Sequence, residues 1–363
     1  MHDVTGRMVR PVTDARQVKD GARGEVATRA ALDVTTLARR LMEVDSTSGR
    51  EGALMEQVHG LLESRGWQVT RIPVSEGRFD VFAHAGHREF VTLSTHLDTV
   101  PPYIPPRLDG DVLHGRGACD AKGIAAAMIC AGERLRDAGV PVALLFVVGE
   151  EVTHDGAHAA NEWITTSGYA SRAIIDGEPT ESMLGLGTKG AVRVVVRTRG
   201  QPAHSAYPHL GHSAIEDLVQ LLAALPSLEL PRHPVLGETT INIGHISGGV
   251  ADNVIAPRAE ARLMARLVTP EADLHPVIER WALGRAELEW GVMVPPVELG
   301  TVDGFDTSVV AFATDIPALG NWGTPYLFGP GSIHVAHRDD EHVSVDELRR
   351  AVDAYERLAR AVS

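Results

Sequence analysis

An apolar run over residues 90–93 ends in Ser94-Thr95-His96-Leu97-Asp98. Imidazole is a common metal ligand, and a carboxylate two residues on can accept its second N–H and fix the tautomer. Alone, such a His-x-Asp pair is ordinary strand-end chemistry. Here further clusters follow, each at the end of an apolar run. They are Asp120 in Gly115-Arg116-Gly117-Ala118-Cys119-Asp120, Glu150-Glu151 after 142–148, Glu178 in Asp176-Gly177-Glu178-Pro179-Thr180, and His337 with Glu341 four residues later. Two histidines and several carboxylates form a mixed nitrogen and oxygen set that suits zinc or cobalt, with manganese possible. One ion needs three or four ligands. The surplus predicts two ions bridged by a shared carboxylate, about 3.5–4 Å apart.

Glu150 and Glu151 are the sharpest local feature. Neighbouring side chains of a strand point opposite ways. Both carboxylates can serve one site only past the strand end, where a turn at Gly149 re-aims them. One can then bind metal while the other stays free as a general base.

Those residues need a scaffold. The apolar runs 90–93, 142–148 and 173–175 read as buried strands, and the Ala-rich stretch 124–135 between them as a helix. This rhythm predicts an α/β fold, a mostly parallel central sheet with helices on both faces. Such sheets take ligands at the carboxyl ends of their strands, where the clusters lie. Ser48-Gly49-Arg50-Glu51 has the form of a capping box for a further helix. Beyond 187 the order becomes strand, helix, strands, with few metal-type residues. The expected organisation is a loose extension over 1–30, a catalytic domain of 31–186 and 297–363, and an inserted α+β domain of 187–296.

Composition narrows the function classes. A chain of 363 residues is long for one simple core and suits two domains. A net charge of −14 argues against nucleic acid or an anionic membrane as the main partner. Two cysteines, Cys119 and Cys130, make no disulfide framework and fit a reducing cytoplasm. No apolar run approaches a membrane span, and Met1-His2-Asp3-Val4 lacks the pattern of a signal peptide.

The ordered set S-T-H-L-D-T-V-P, G-R-G-A-C-D-A-K-G, V-V-G-E-E, G-E-P-T, P-A-H-S-A-Y-P, D-N-V-I and A-H-x-x-x-E resembles a family. It is that of the dinuclear zinc amidohydrolases, which include acetylornithine deacetylase, succinyl-diaminopimelate desuccinylase, aminoacylases and glutamate carboxypeptidases. The resemblance runs from about residue 33 to the C-terminus. It implies two Zn2+ per chain, with Co2+ or Mn2+ able to substitute. His96, Asp120 and Glu178 would hold one ion, and Asp120, Glu151 and His337 the other. It gives Glu150 the base position and Asp98 the place that orients His96. It also implies that the inserted domain is a lid and dimerisation domain, and that His204 reaches into the partner subunit's site to hold the oxyanion. Asn253 and Arg266 match residues near the substrate.

Some positions depart from the family pattern. Cys119 stands where a small residue is usual and is read as passive, and Ala121 replaces a frequent Met. Lys189, in Gly187-Thr188-Lys189-Gly190, stands where desuccinylases carry paired arginines. A single Lys suits a substrate with one α-carboxylate. The reading is a cytoplasmic homodimer that hydrolyses the amide of small N-acyl amino acids with water, most like N-acetylornithine deacetylation. The alternatives are succinyl-diaminopimelate desuccinylase, a metallo-dipeptidase or carboxypeptidase, and a catalytically inactive amino-acid-binding relative.

Overall fold

Val142–Val147 is apolar throughout, and every residue of it is buried. A strand with no polar face has to be covered on both sides. In the computed structural model, which describes residues 30–363, it lies inside a six-stranded sheet. The order is Gln68–Ser75, Arg78–His84, Val142–Val147, Glu89–His96, Ala170–Asp176 and Thr324–Leu327. The last four run parallel, and Arg78–His84 is antiparallel to both of its neighbours. Alternate residues of the central strand go to different cores. Val142, Leu144 and Phe146 pack with the helices Val34–Met42, Gly52–Ser64, Lys122–Asp137 and Val345–Ala361. Ala143, Leu145 and Val147 pack with Ala157, Ala160 and Ile164 of the helix Asp155–Ser167 and with Trp322. The fold is therefore α/β, with a mostly parallel central sheet between helices, and its register levels the carboxyl ends. His96 lies opposite Val147, and Asp176 opposite both Ser94 and Leu327.

A second sheet is antiparallel throughout, in the order Thr240–Gly248, Arg258–Leu267, Gly190–Arg199, Glu287–Val294. Val192, Val194 and Val196 point to one face, against the helices Ala214–Ala224 and Glu271–Ala282. On the other face Arg197 meets Glu260 and Glu289. This α+β segment has a core of its own, and it supports the proposal that 187–296 is a separate inserted domain. Among the described residues no helix is long and apolar enough to cross a membrane. The extension expected over 1–30 falls outside the described residues except for Ala30.

One local expectation fails. The helix after Ser48 starts at Gly52, and its first turn has no side-chain cap. Ser48 instead donates its hydroxyl to Asp98 Oδ2 at 2.7 Å, and Glu51 pairs with Arg78 while accepting the Gly49 N–H. A buried carboxylate at the sheet end outbids a helix terminus for the serine.

Candidate metal centre and active site

The chain leaves the sheet at His96 and turns at once. The buried His96 ring reaches Asp120 Oδ1 with Nε2 at 3.0 Å and lies 4.0 Å from Glu178 Oε1. Its Nδ1 is held by the backbone carbonyl of Asp98 at 3.1 Å, nearer than the Asp98 carboxylate at 3.5 Å. Orientation of His96 thus comes from residue 98 mainly through its carbonyl. The Asp98 carboxylate has a further job, which the sequence did not suggest. It accepts the backbone N–H of Glu150 at 3.0 Å on one oxygen and that of Glu151 at 3.2 Å on the other. Burial works against its charge, yet the His96 side chain and the Ser48 and Glu150 donors hold its pKa below the usual value.

The turn that these N–H groups belong to does what strand geometry required. Gly149 has φ +79°, and a Cβ there would lie 2.1 Å from Asp155 Oδ1. Only glycine fits. Beyond it Glu151 Oε1 lies 3.1 Å from His337 Nε2, which is also 3.2 Å from Asp120 Oδ2. Two groups of metal-type atoms result, each with its members within 4.8 Å of one another: His96, Asp120, Glu178, and Asp120, Glu151, His337. Asp120 belongs to both. Glu150 belongs to neither, and is grouped instead with His154 and Asp315.

The donors fit divalent cations. Asp120 and Glu178 are buried, and among the described residues no lysine or arginine pairs with Asp120, Glu150, Glu151 or Glu178. Burial, reinforced by the Glu150 charge, pushes the Glu178 carboxyl well above its ordinary range. Burial raises Glu150 as well, with Asp315, Glu151 and Asp120 adding to it. Conversely, hydrogen bonds to Asp120 and Glu151 raise His337 to about 10. The carboxylates that raise this imidazole, Asp120 and Glu151, are the oxygen donors that would share a divalent cation with it.

Asp120 is positioned by residues that had no assigned role. Glu341 is buried and accepts the backbone N–H of Cys119 and of Asp120 on Oε1, each at 3.2 Å. Its Oε2 takes Arg116 Nη1 at 2.7 Å, and the same nitrogen reaches the Arg338 carbonyl. The buried Arg116–Glu341 pair therefore clamps the Asp120 loop to the His337 loop. Glu341 closes the A-H-x-x-x-E motif, the one signal that could have marked it. Cys119 is free and buried, with Sγ 3.7 Å from Glu341 Oε1, and joins neither group.

The remaining site residues lie in or beside the second sheet. His204 and Asn253 are exposed and sit on two loops that pair through a bridge between His204 and Val254. Arg266, half-buried, lies opposite Ala191. Lys189, just before that strand, gives its ammonium to the Glu238 carbonyl at 2.7 Å. One pair is thus at the start of Gly190–Arg199 and the other beyond its end, separated by a ten-residue strand, roughly 30 Å at the usual rise.

The family model for Peptidase family M20/M25/M40 matches residues 92–361. A probable carboxypeptidase of Aspergillus terreus is 37% identical, with 97% of this chain and 93% of that protein covered. Among solved structures, aminopeptidase PepT from Bacillus cereus superposes with a TM-score of 0.75 at 21% identity, covering 91% of this chain and 98% of that one. The YXEP protein of Bacillus subtilis, described as a dinuclear metal-binding peptidase, gives 0.66 at 17% identity, covering 90% and 98%.

Proposed function

Because the chain belongs to Peptidase family M20/M25/M40 and is a metal-dependent hydrolase of amide bonds, we propose a narrower activity. It cleaves the amide that joins an acyl group to an amino acid with a free α-carboxylate. That bond occurs in an N-acetyl amino acid and at the C-terminus of a peptide. The name of the Aspergillus terreus relative favours a peptidyl acyl group, and this reading now stands ahead of N-acetylornithine. The single Lys189, which suggested the latter, spends its ammonium on a backbone carbonyl.

One observation carries the proposal: two ligand groups share Asp120, while Glu150 stands beside them and in neither. Two ions, zinc with cobalt or manganese able to substitute, would be held by His96, Asp120 and Glu178 and by Asp120, Glu151 and His337. When bound they supply Lewis acidity toward the carbonyl oxygen and toward water. Glu150 takes the proton of the attacking water and passes it to the leaving amine. Asp98 fixes the backbone of both glutamates, so base and ligand keep their separate directions.

The separation along the second sheet supports a homodimer. His204 and Asn253 are too far from Lys189 and Arg266 for one chain's pairs to frame one small substrate. In a two-fold pair, the partner's His204 supplies the oxyanion contact and the chain's own Arg266 meets the α-carboxylate. Two free, buried cysteines suit a cytoplasmic setting.

The test is a panel on the zinc-loaded protein: N-acetyl and N-succinyl amino acids, N-blocked dipeptides with a free C-terminus, and free-amine dipeptides with an amidated C-terminus. Cleavage should require the free carboxylate and run fastest on the blocked dipeptides. Preference for the amidated set would overturn the reading.

A further inference from the structure

The Glu150 carboxylate has no hydrogen-bond partner among the described residues; only its backbone N–H is tied, to Asp98. A general base needs a fixed direction, so what borders this group matters. Two ligand-type side chains outside the two metal groups lie beside it, His154 and Asp315, and the three offer ligand-type atoms all within 4.8 Å of one another. His154 Nδ1 lies 2.8 Å from Asp315 Oδ1.

Both members of this dyad are held at a cost. Asp315 is 2% exposed, and its second oxygen has no partner. Glu150, Asp176 and Asp80 all feel its negative charge, and His154 is the one residue that forms an ion pair with it among those described. A carboxylate buried among carboxylates, with one oxygen unsatisfied, is a poor stabilising device. His154 has φ 53° and ψ 21°, immediately before the helix Asp155–Ser167. Few residues with a Cβ adopt that conformation. Among the described residues the others are Glu181, Ser182 and His337, the last in the metal-type group. Costly groups of this kind gather at working sites.

Resting on the assignment of Glu150 as the base, we infer that His154 is a positioning residue for it. Asp315 accepts the Nδ1–H and fixes the ring. By occupying Asp315 through that N–H, the side chain keeps the Glu150 carboxylate apart from Asp315 and directed at the water. His154 touches no reacting atom in this scheme and acts through Glu150 alone.

The experiment compares His154→Gly, His154→Asn and Glu150→Gln, each zinc-loaded, on the best-cleaved compound of the panel. It reads kcat, KM, zinc per chain and Tm. Glycine adopts φ above zero freely, so His154→Gly removes the donor without straining the turn. Its kcat should fall about tenfold, the lower end for a supporting residue, with KM and zinc content unchanged, while Tm falls because the buried Asp315 loses its partner. Asparagine tolerates positive φ and places an N–H donor near the Nδ1 position. His154→Asn should recover kcat to within about threefold of wild type on the same scale. Wild-type kcat in His154→Gly overturns the inference. So does an equal loss in both variants, which would require the imidazole itself, and so does a loss of zinc, which would make His154 a ligand. Glu150→Gln separates this inference from the reading beneath it. Its kcat should drop at least about a hundredfold with zinc retained. Normal turnover there removes the base assignment, whereas a dead Glu150→Gln beside a fully active His154→Gly removes only the dyad.

Discussion

The two sheets of this protein use charge in opposite ways. On the second sheet the charged side chains face solvent: Arg199 pairs with Glu287 at 2.7 and 3.0 Å, with both side chains more than half exposed. At the carboxyl end of the central sheet, Asp98, Asp120, Glu178, Arg116 and Glu341 are all buried. Exposed pairs decorate an already stable strand and contribute little. Buried charges tolerate no missing partner. Location therefore separates chemistry from solubility here better than residue type does.

Four experiments press on that contrast, in order of decreasing effect. Asp120→Ala removes the one side chain shared by both metal-type groups. Metal analysis after zinc loading should fall from about two ions per chain to less than one, with activity lost. Two ions retained would end the bridging assignment. Arg116→Ala leaves Glu341 buried without its partner, and urea unfolding should show a loss of about 3–5 kcal/mol. A loss below about 1 kcal/mol would mean the clamp is no more than a surface pair. Next comes a mixture of His204→Ala and Glu150→Gln chains, which tests whether the two sheets meet across a dimer. Each variant alone should be nearly inactive. Mixed dimers, with one intact site, should regain up to about half the wild-type rate. No recovery despite demonstrated subunit exchange would place His204 in its own chain's site or outside catalysis. The smallest effect belongs to Arg199→Ala, where Tm and kcat should stay within experimental scatter. A clear loss in either would show that charge on the second sheet is structural after all.

The difference between the sheets also explains what could be read from the chain. His96, Glu150, Glu151 and Glu178 were legible because each follows an apolar run that could only be a buried strand, and chemistry at a strand end has a known place. The strand Val142–Val147 was legible for the same reason, as a continuous apolar run over 142–148. The partners of these residues were not. Ser48 reaches Asp98 from 50 positions away, Arg116 reaches Glu341 from 225, and His154 reaches Asp315 from 161. No local period records such contacts. Ser48 was misread because a serine three residues before a glutamate looks like a helix cap whatever tertiary contact claims it. Strand alternation alone could not say which of Glu150 and Glu151 faces the cation; that came from resemblance. The hairpin Gln68–Ser75 and Arg78–His84 escaped notice because its first strand mixes Thr, Arg and Pro among its apolar residues.

The strand Thr324–Leu327 pairs with Ala170–Asp176 only after the chain has passed through the whole second sheet. During synthesis the 170–176 strand must wait as a sheet edge with unpaired backbone groups, a hazard for pairing with other chains. His337 and Glu341 arrive later still, and the final helix, Val345–Ala361, closes the core beneath them. Assembly is therefore governed by the segment 324–361, which is made after the whole second sheet. Until it docks, the early carboxylates stand together without the imidazole of His337 or the clamp of Glu341. Shortening the final helix should consequently cost soluble yield before it costs turnover per folded molecule.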